Sequence, residues 1–285
     1  MGAFSEKCIA LRLQGHTLGE IVRITGRPKT SIYTHIRDLP LSPDRWRAIH
    51  ESNGKHIRKF AIARKGKSLR GYRTFSDWNK GLVLLVAHLI FDGEIRRDGC
   101  CYNNRNGALV ERVESLMKEI YEFQPRRYRN TLTGVVRIGY YNVALSAYIK
   151  EKAKDLLRHI ASMHKDLKRE FLRAFFDDEG CMDFRAVRNV RQIRGYQKSV
   201  DILFLIQRLL TDLGIDSGIK QPNEVVIIGK ENLLKFQKEI NFSTGVRING
   251  NRPNSIWKQS LEKRLILHKA IASYKPIGSN GVHRA

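Results

Sequence analysis

The sequence predicts an α+β fold in which one unit of helix, hairpin, helix, hairpin and closing helix occurs twice, preceded by a small all-α module. Three observations predict it. An apolar segment that ends in an acid followed by glycine occurs at Leu84 and again at Phe171. Two further segments downstream of the first copy recur in the same order after the second, at almost the same spacing. Before them, residues 5–39 carry apolar side chains in three short groups at helical spacing. The expected units are a module over 1–42, a basic connector over 43–75, repeats over 76–160 and 161–275, and a tail over 276–285.

In the N-terminal module Ile9, Leu11, Leu13, Leu18, Ile21, Val22, Ile32 and Ile36 mark three small helices. Thr17 followed by Glu20 is a capping box that starts the second, and Gly26-Arg27-Pro28 ends it and begins the third. Ile32 and Ile36 lie one turn apart on the buried side of that third helix, so Lys29, Thr30, Ser31, Tyr33, Thr34 and Arg37 face outward. LGEIVRITGRPKTSIYTHI resembles the helix-turn-helix of resolvases and small regulators, which implies that this outward face enters the major groove of duplex DNA. Basic and hydroxyl side chains there suit phosphates and base edges.

Between Pro43 and Phe75 ten Lys or Arg residues stand against Asp44 and Glu51. Trp46, Ile49, Phe60 and Ile62 argue against pure disorder, and Gly54, Gly66 and Gly71 argue against one long helix, so a partly ordered basic arm is expected.

The duplication begins with LLVAHLIFDGEI at Leu84–Ile95, which aligns with FLRAFFDDEGCM at Phe171–Met182. Ala87 then matches Ala174, Asp92 matches Glu179 and Gly93 matches Gly180, all 87 residues apart. The helical run Val113, Leu116, Met117, Ile120, Tyr121 matches Ile202, Leu205, Ile206, Leu209, Leu210, and GVVRIGYYN matches EVVIIGKEN, with the offset drifting only to 90.

These paired segments resemble the two LAGLIDADG motifs of monomeric homing endonucleases, over roughly residues 76–270. FLRAFFDDEG is close to the usual second motif, and LVAHLIFDG is a looser first copy with Phe91 and His88 at positions of different habit. The resemblance implies two αββαββα halves related by a pseudo-two-fold axis, motif helices at the centre and two sheets forming a saddle over duplex DNA. It also implies site-specific, metal-dependent cleavage, one phosphodiester in each strand across the minor groove. The residues suit that placement. Ala87 and Ala174 are small enough for the motif helices to approach closely, with Leu85, Leu89, Leu172 and Phe176 around them. Asp92 and Glu179 would then meet as catalytic, metal-holding carboxylates, which repel unless divalent cations, Mg²⁺ for an oxygen site, lie between them. Asp177 and Asp178, at the preceding positions, are expected to point elsewhere.

Hairpins after each motif offer Arg96, Arg97, Arg126, Arg127, Arg129 and Arg137 in the first half, and Arg185, Arg188, Arg191 and Arg194 in the second. Strand alternation lets only some reach DNA, with Arg185, Arg191 and Arg137 favoured. Charge agrees: 52 Lys and Arg against 28 Asp and Glu leave +24, which calls for a polyanionic partner. Four cysteines without metal spacing fit a reduced, cytoplasmic setting, and no apolar run is long enough for a membrane role. With both motifs on one chain, a monomer without an obligate protein partner is expected. The alternative is a DNA-binding regulator on the same fold that does not cleave.

Overall fold

The computed structural model of the protein describes residues 2–64, 71–120, 125–250 and 256–274, with backbone alone over 59–64. The expectations for Gly66, Tyr121 and the tail 276–285 lie outside the described residues. Two compact units divide the chain, Met1–Leu69 and Arg70–Ala285.

The first unit holds α1 (Ala3–Leu13), α2 (Leu18–Thr25), α3 (Lys29–Ile36) and α4 (Pro43–Arg64). The capping box forms: the Glu20 amide donates to Thr17 Oγ1 at 3.3 Å and the Thr17 amide donates to Glu20 Oε2 at 2.7 Å. Gly26 ends α2 at φ 65°, a left-handed conformation that glycine adopts without steric cost. Cys8, Ile21, Ile32 and Ile36 make a small core with Phe4, Leu11, Leu18 and Val22 packed against it.

The connector departs from expectation, because α4 is one helix running through Gly54. Its start follows from sequence: the Arg45 amide donates to Ser42 Oγ, and Pro43 occupies the first helical position, where a missing N–H costs nothing. A glycine inside a helix costs about 1 kcal/mol, which lowers its stability without ending it. Nothing crowds Gly54, so only that propensity opposed the helix.

The second unit carries the duplication. Its first half runs α5 (Lys80–Phe91), β1 (Gly93–Ile95), β2 (Cys100–Asn104), α6 (Gly107–Ile120), β3 (Arg126–Arg129), β4 (Val136–Tyr140) and α7 (Val143–His159). The second half runs α8 (Lys165–Glu179), β5 (Gly180–Arg185), β6 (Val190–Tyr196), α9 (Val200–Asp212), β7 (Gly218–Lys220), β8 (Glu224–Ile228) and α10 (Lys230–Glu239). Each half forms one four-stranded antiparallel sheet, in the orders β1-β2-β4-β3 and β5-β6-β8-β7. This is a mixed α+β architecture with the same αββαββα order in both halves. A further helix that no repeat predicts, α11 (Lys263–Ala272), follows and packs on β5 and α10.

The core centres on α5 against α8. Ala87 and Ala174 are fully buried, as are Leu172 and Phe176, and Leu85 and Leu89 nearly so. Phe91 meets Phe171 and Phe175 edge to face at 5.4 and 5.1 Å, so its bulk is absorbed by aromatic packing. The glycines after the two acids have a steric cause. A Cβ on Gly93 would lie 2.6 Å from the Leu89 Cα, and one on Gly180 2.5 Å from the Phe176 carbonyl oxygen. Each strand leaves its helix by passing back over the last turn, which only glycine permits. Among the described residues no helix is long and apolar enough to cross a membrane.

Candidate functional site

Asp92 terminates α5 and Glu179 is the last residue of α8, so two packed helices deliver their acids to one end of the core. Both side chains are part-buried. Burial raises the Asp92 carboxyl to about 6, with the charge of Asp178 adding to it. Burial raises Glu179 to about 7, and the charges of Asp92 and Asp178 push further in that direction. Glu179 therefore senses Asp92, and a third carboxylate, Asp178, acts on both. Asp92 lines a cleft of ≈1250 Å³ together with Asn104, Asp178, Arg185, Arg194 and Lys263.

The expectation that Asp178 points away is corrected. Its side chain is buried and reaches across to the first repeat, where Tyr102 Oη donates to Oδ1 at 2.6 Å and His88 Nδ1 lies 2.8 Å from Oδ2. Asn104 Nδ2 in turn donates to Tyr102 Oη at 2.9 Å and to Asp92 Oδ2 at 2.7 Å. The physical reason is helix geometry: a residue one step before the helix end turns about a hundred degrees toward the partner helix. Asp177 does lie apart from the acids, accepting from the Ser243 amide at 2.9 Å and from Arg112 at 3.2 Å.

Lys263, at the start of α11, was invisible to motif reasoning because it lies within the expected second repeat but after α10, the last helix that has a counterpart in the first half. Its Nζ donates to the carbonyl oxygens of Asp177 at 2.6 Å and Phe176 at 3.2 Å, satisfying the buried C-terminal end of α8. Burial pulls its ammonium down from the ordinary lysine value, while its charge lowers both Asp92 and Glu179. A cation at a helix C-terminus also complements the macrodipole, which the acids at that end oppose.

Register decides which arginines share a face, since paired residues across a ladder point the same way and neighbours along a strand do not. In the first sheet Arg127 pairs with buried Ile138, so Arg127 and Arg129 lie on the helix side; Arg127 sits 3.5 Å from Glu114 of α6. Arg126 and Arg137 lie on the opposite, open face, where Arg137 Nη2 donates to Cys101 Sγ at 3.0 Å. In the second sheet Arg185 and Arg194 share the open face with Asp183 and Glu224, to which they are ion-paired. Arg191 pairs in register with Phe184, on the other side. There Nε donates to Ser273 Oγ at 2.7 Å and the guanidinium stacks on Tyr274 at 4.8 Å. That corrects its grouping with Arg185, since the unforeseen α11 occupies it.

Arg96 and Arg97 are exposed in the β1–β2 turn, Arg96 paired with Glu94, and Arg188 is exposed in the turn before β6. In the separate N-terminal unit Lys29, Thr30, Ser31, Tyr33, Thr34 and Arg37 are all exposed, as the spacing of Ile32 and Ile36 requires.

Residues 166–241, most of the second half, match the family model of the LAGLIDADG-like domain. No curated protein matches the chain in sequence. Among solved structures, a complex of the homing endonuclease I-DmoI with its target DNA in the presence of Mg is similar at 15% identity and TM-score 0.44, covering 56% of this chain and 96% of that one. Full-length DUF199/WhiA from Thermatoga maritima is similar at 16% identity and TM-score 0.49, covering 73% of this chain and 65% of that one. The isolated N-terminal LAGLIDADG domain of DUF199/WhiA is similar at 17% identity and TM-score 0.45, over 60% of this chain and 88% of that one.

Proposed function

We propose that this chain, with its LAGLIDADG-like domain and paired repeats, is a site-specific, metal-dependent double-strand DNA endonuclease of homing type, hydrolysing one phosphodiester in each strand across the minor groove. The observation that carries the reading is that α5 and α8, packed on each other, end in the matched acids Asp92 and Glu179, where the charge of Asp92 raises the Glu179 carboxyl. Two half-buried carboxylates offer oxygen alone, the donor set of hard divalent cations such as Mg²⁺. When bound, that cation supplies charge neutralisation at the phosphate and a water acidic enough to attack it.

The chain's own groups prepare the rest. Among the described residues no cluster of three or more His, Cys, Asp or Glu side chains is arranged to hold a metal, so Asp92 and Glu179 are the residues that would hold the cation. Arg126 and Arg137 on one sheet, and Arg185 and Arg194 on the other, supply guanidinium groups for the DNA backbone and base edges. Lys29, Thr30, Ser31, Tyr33, Thr34 and Arg37 of α3 extend the footprint as a recognition helix, and the exposed Arg45, Arg47, Lys55 and Arg58 of α4 add phosphate contacts. A single chain provides both acids, so the reading requires no second copy.

A non-cleaving DNA-binding regulator is the second reading, favoured by Lys263. Its buried ammonium already offsets the carboxylates that a divalent cation would otherwise neutralise. One experiment separates the two: incubate the protein with a pooled duplex library and Mg²⁺ or Mn²⁺, then sequence bound and cut molecules. Recovery of one sequence with staggered ends supports the endonuclease; enrichment of one sequence that stays intact with either metal overturns it in favour of the regulator.

A further inference from the structure

We infer that Tyr102 and Asn104, anchored on Asp178 of the other repeat, are positioning residues for Asp92: they hold its carboxylate in one orientation at the cleft. The inference rests on the nuclease reading only for its consequence on cutting. Both oxygens of Asp178 are engaged: Tyr102 Oη donates to Oδ1 at 2.6 Å, and His88 Nδ1 lies 2.8 Å from Oδ2. Tyr102 therefore spends its single proton on Asp178, and its oxygen accepts from Asn104 Nδ2. The Asn104 amide cannot flip, because its Oδ1 accepts the backbone amide of Asn106 at 2.9 Å. Its nitrogen is thereby aimed at Asp92 Oδ2, 2.7 Å away, and Oδ1 of Asp92 has no hydrogen-bond partner among the described residues.

The pseudo-symmetric counterpart shows that packing alone does not require this polar set. At an offset of 87 residues, Asp178 corresponds to Phe91 and His88 to Phe175. In the ladders Tyr102 sits opposite Gly93, where Gly195 sits opposite Gly180. The second location is thus an aromatic contact, Phe91 on Phe175 at 5.1 Å, with the Phe175 ring lying over Gly195. One end of a near-symmetric core is filled with rings, and the other holds a buried acid, a histidine and a tyrosine. A buried polar group is costly, the more so because His88 Nε2 has no hydrogen-bond partner among the described residues, and the set leads by unbroken hydrogen bonds to one of the two acids. Glu179 accepts no such bond among the described residues, so only one of the acids is held.

The test uses the full chain and two substitutions, Tyr102→Phe and Asn104→Ala, each made also in a Glu179→Gln background. The side-chain amide resonances of Asn104 in ¹⁵N-labelled protein are expected to shift and lose exchange protection in Tyr102→Phe. Mn²⁺ alone, followed by electron paramagnetic resonance in the Glu179→Gln background, is expected to bind about 10-fold more weakly after either change, the size typical for removing support behind a metal ligand. If the chain cuts DNA, the strand served by Asp92 should slow about 10-fold relative to the other, converting a double-strand cutter into one that mostly nicks. Unaltered Mn²⁺ affinity, or equal slowing of both strands, overturns the proposal. Wild-type protein that cuts neither strand while Mn²⁺ affinity drops as expected overturns the nuclease reading and leaves the positioning role supported.

Discussion

Lys263 Nζ lies 2.6 Å from the carbonyl oxygen of Asp177, although Lys263 belongs to a helix that has no counterpart in the first half. That hydrogen bond ties the C-terminal extension to the end of α8, two residues before Glu179. The site is therefore assembled from three parts of the chain.

Replacing Lys263 by Met should destabilise the protein by about 1–3 kcal/mol, because two carbonyl oxygens at a buried helix end lose their donor. It should also raise the titration midpoints of Asp92 and Glu179 further, since the lysine charge now lowers both. Denaturant unfolding and carboxyl titration by NMR measure the two effects; unchanged midpoints would contradict the electrostatic part.

Stability without metal should carry a particular pH signature. Asp92 and Glu179 have native values near 6 and 7 against ordinary values of 3.8 and 4.5, so the folded state binds more protons than the unfolded one between those limits. The stabilising contribution is present below the ordinary values and is lost as pH rises through the native ones. Melting temperature, compared between wild type and an Asp92→Asn, Glu179→Gln double variant, should show this slope in wild type alone. Added Mg²⁺ should restore wild-type stability at the alkaline end.

Asp92→Asn and Glu179→Gln should each abolish double-strand cutting while leaving DNA affinity within about a factor of ten, since neither removes a phosphate-binding cation. Gel-shift and cleavage assays on one duplex read both quantities, and full cutting by either variant would refute the assignment of the acids.

Gly180→Ala should be more harmful than its size suggests. The added methyl would lie 2.5 Å from the Phe176 carbonyl oxygen and 2.9 Å from the Phe176 ring, in a fully packed region. Overpacking of this kind costs about 1–3 kcal/mol, measurable by thermal or urea unfolding.

Substituting Lys29 or Arg37 of α3 by Ala should weaken DNA binding and lower the slope of log affinity against log salt by about 0.9 for each phosphate that the side chain no longer neutralises. A flat salt dependence in the wild type would count against duplex DNA as the partner.

Much of this arrangement could be read from the chain itself. The repeated acid–glycine endings located both motif helices, and the Thr17–Glu20 pair located the start of α2, because each reflects local chemistry within a few residues. What escaped depends on distant parts meeting. Lys263 reaches the acids from 84 positions beyond Glu179, and no local pattern marks it. Asp178, expected to point elsewhere, is drawn in by His88 of α5 and Tyr102 of β2. Arg191 appeared equivalent to Arg185 until register placed them on opposite sides. Gly54 suggested a break in α4 because propensity weighs each residue singly, whereas the helix depends on the whole stretch.

The unequal filling of the central crossing also bears on which halves can pair. A homodimer of first halves would set His88 against a second Phe91, leaving the imidazole without an acid. A homodimer of second halves would bury Asp178 against a second Phe175, with no donor for its charge. The polar contact at the crossing therefore forms only between two unlike halves.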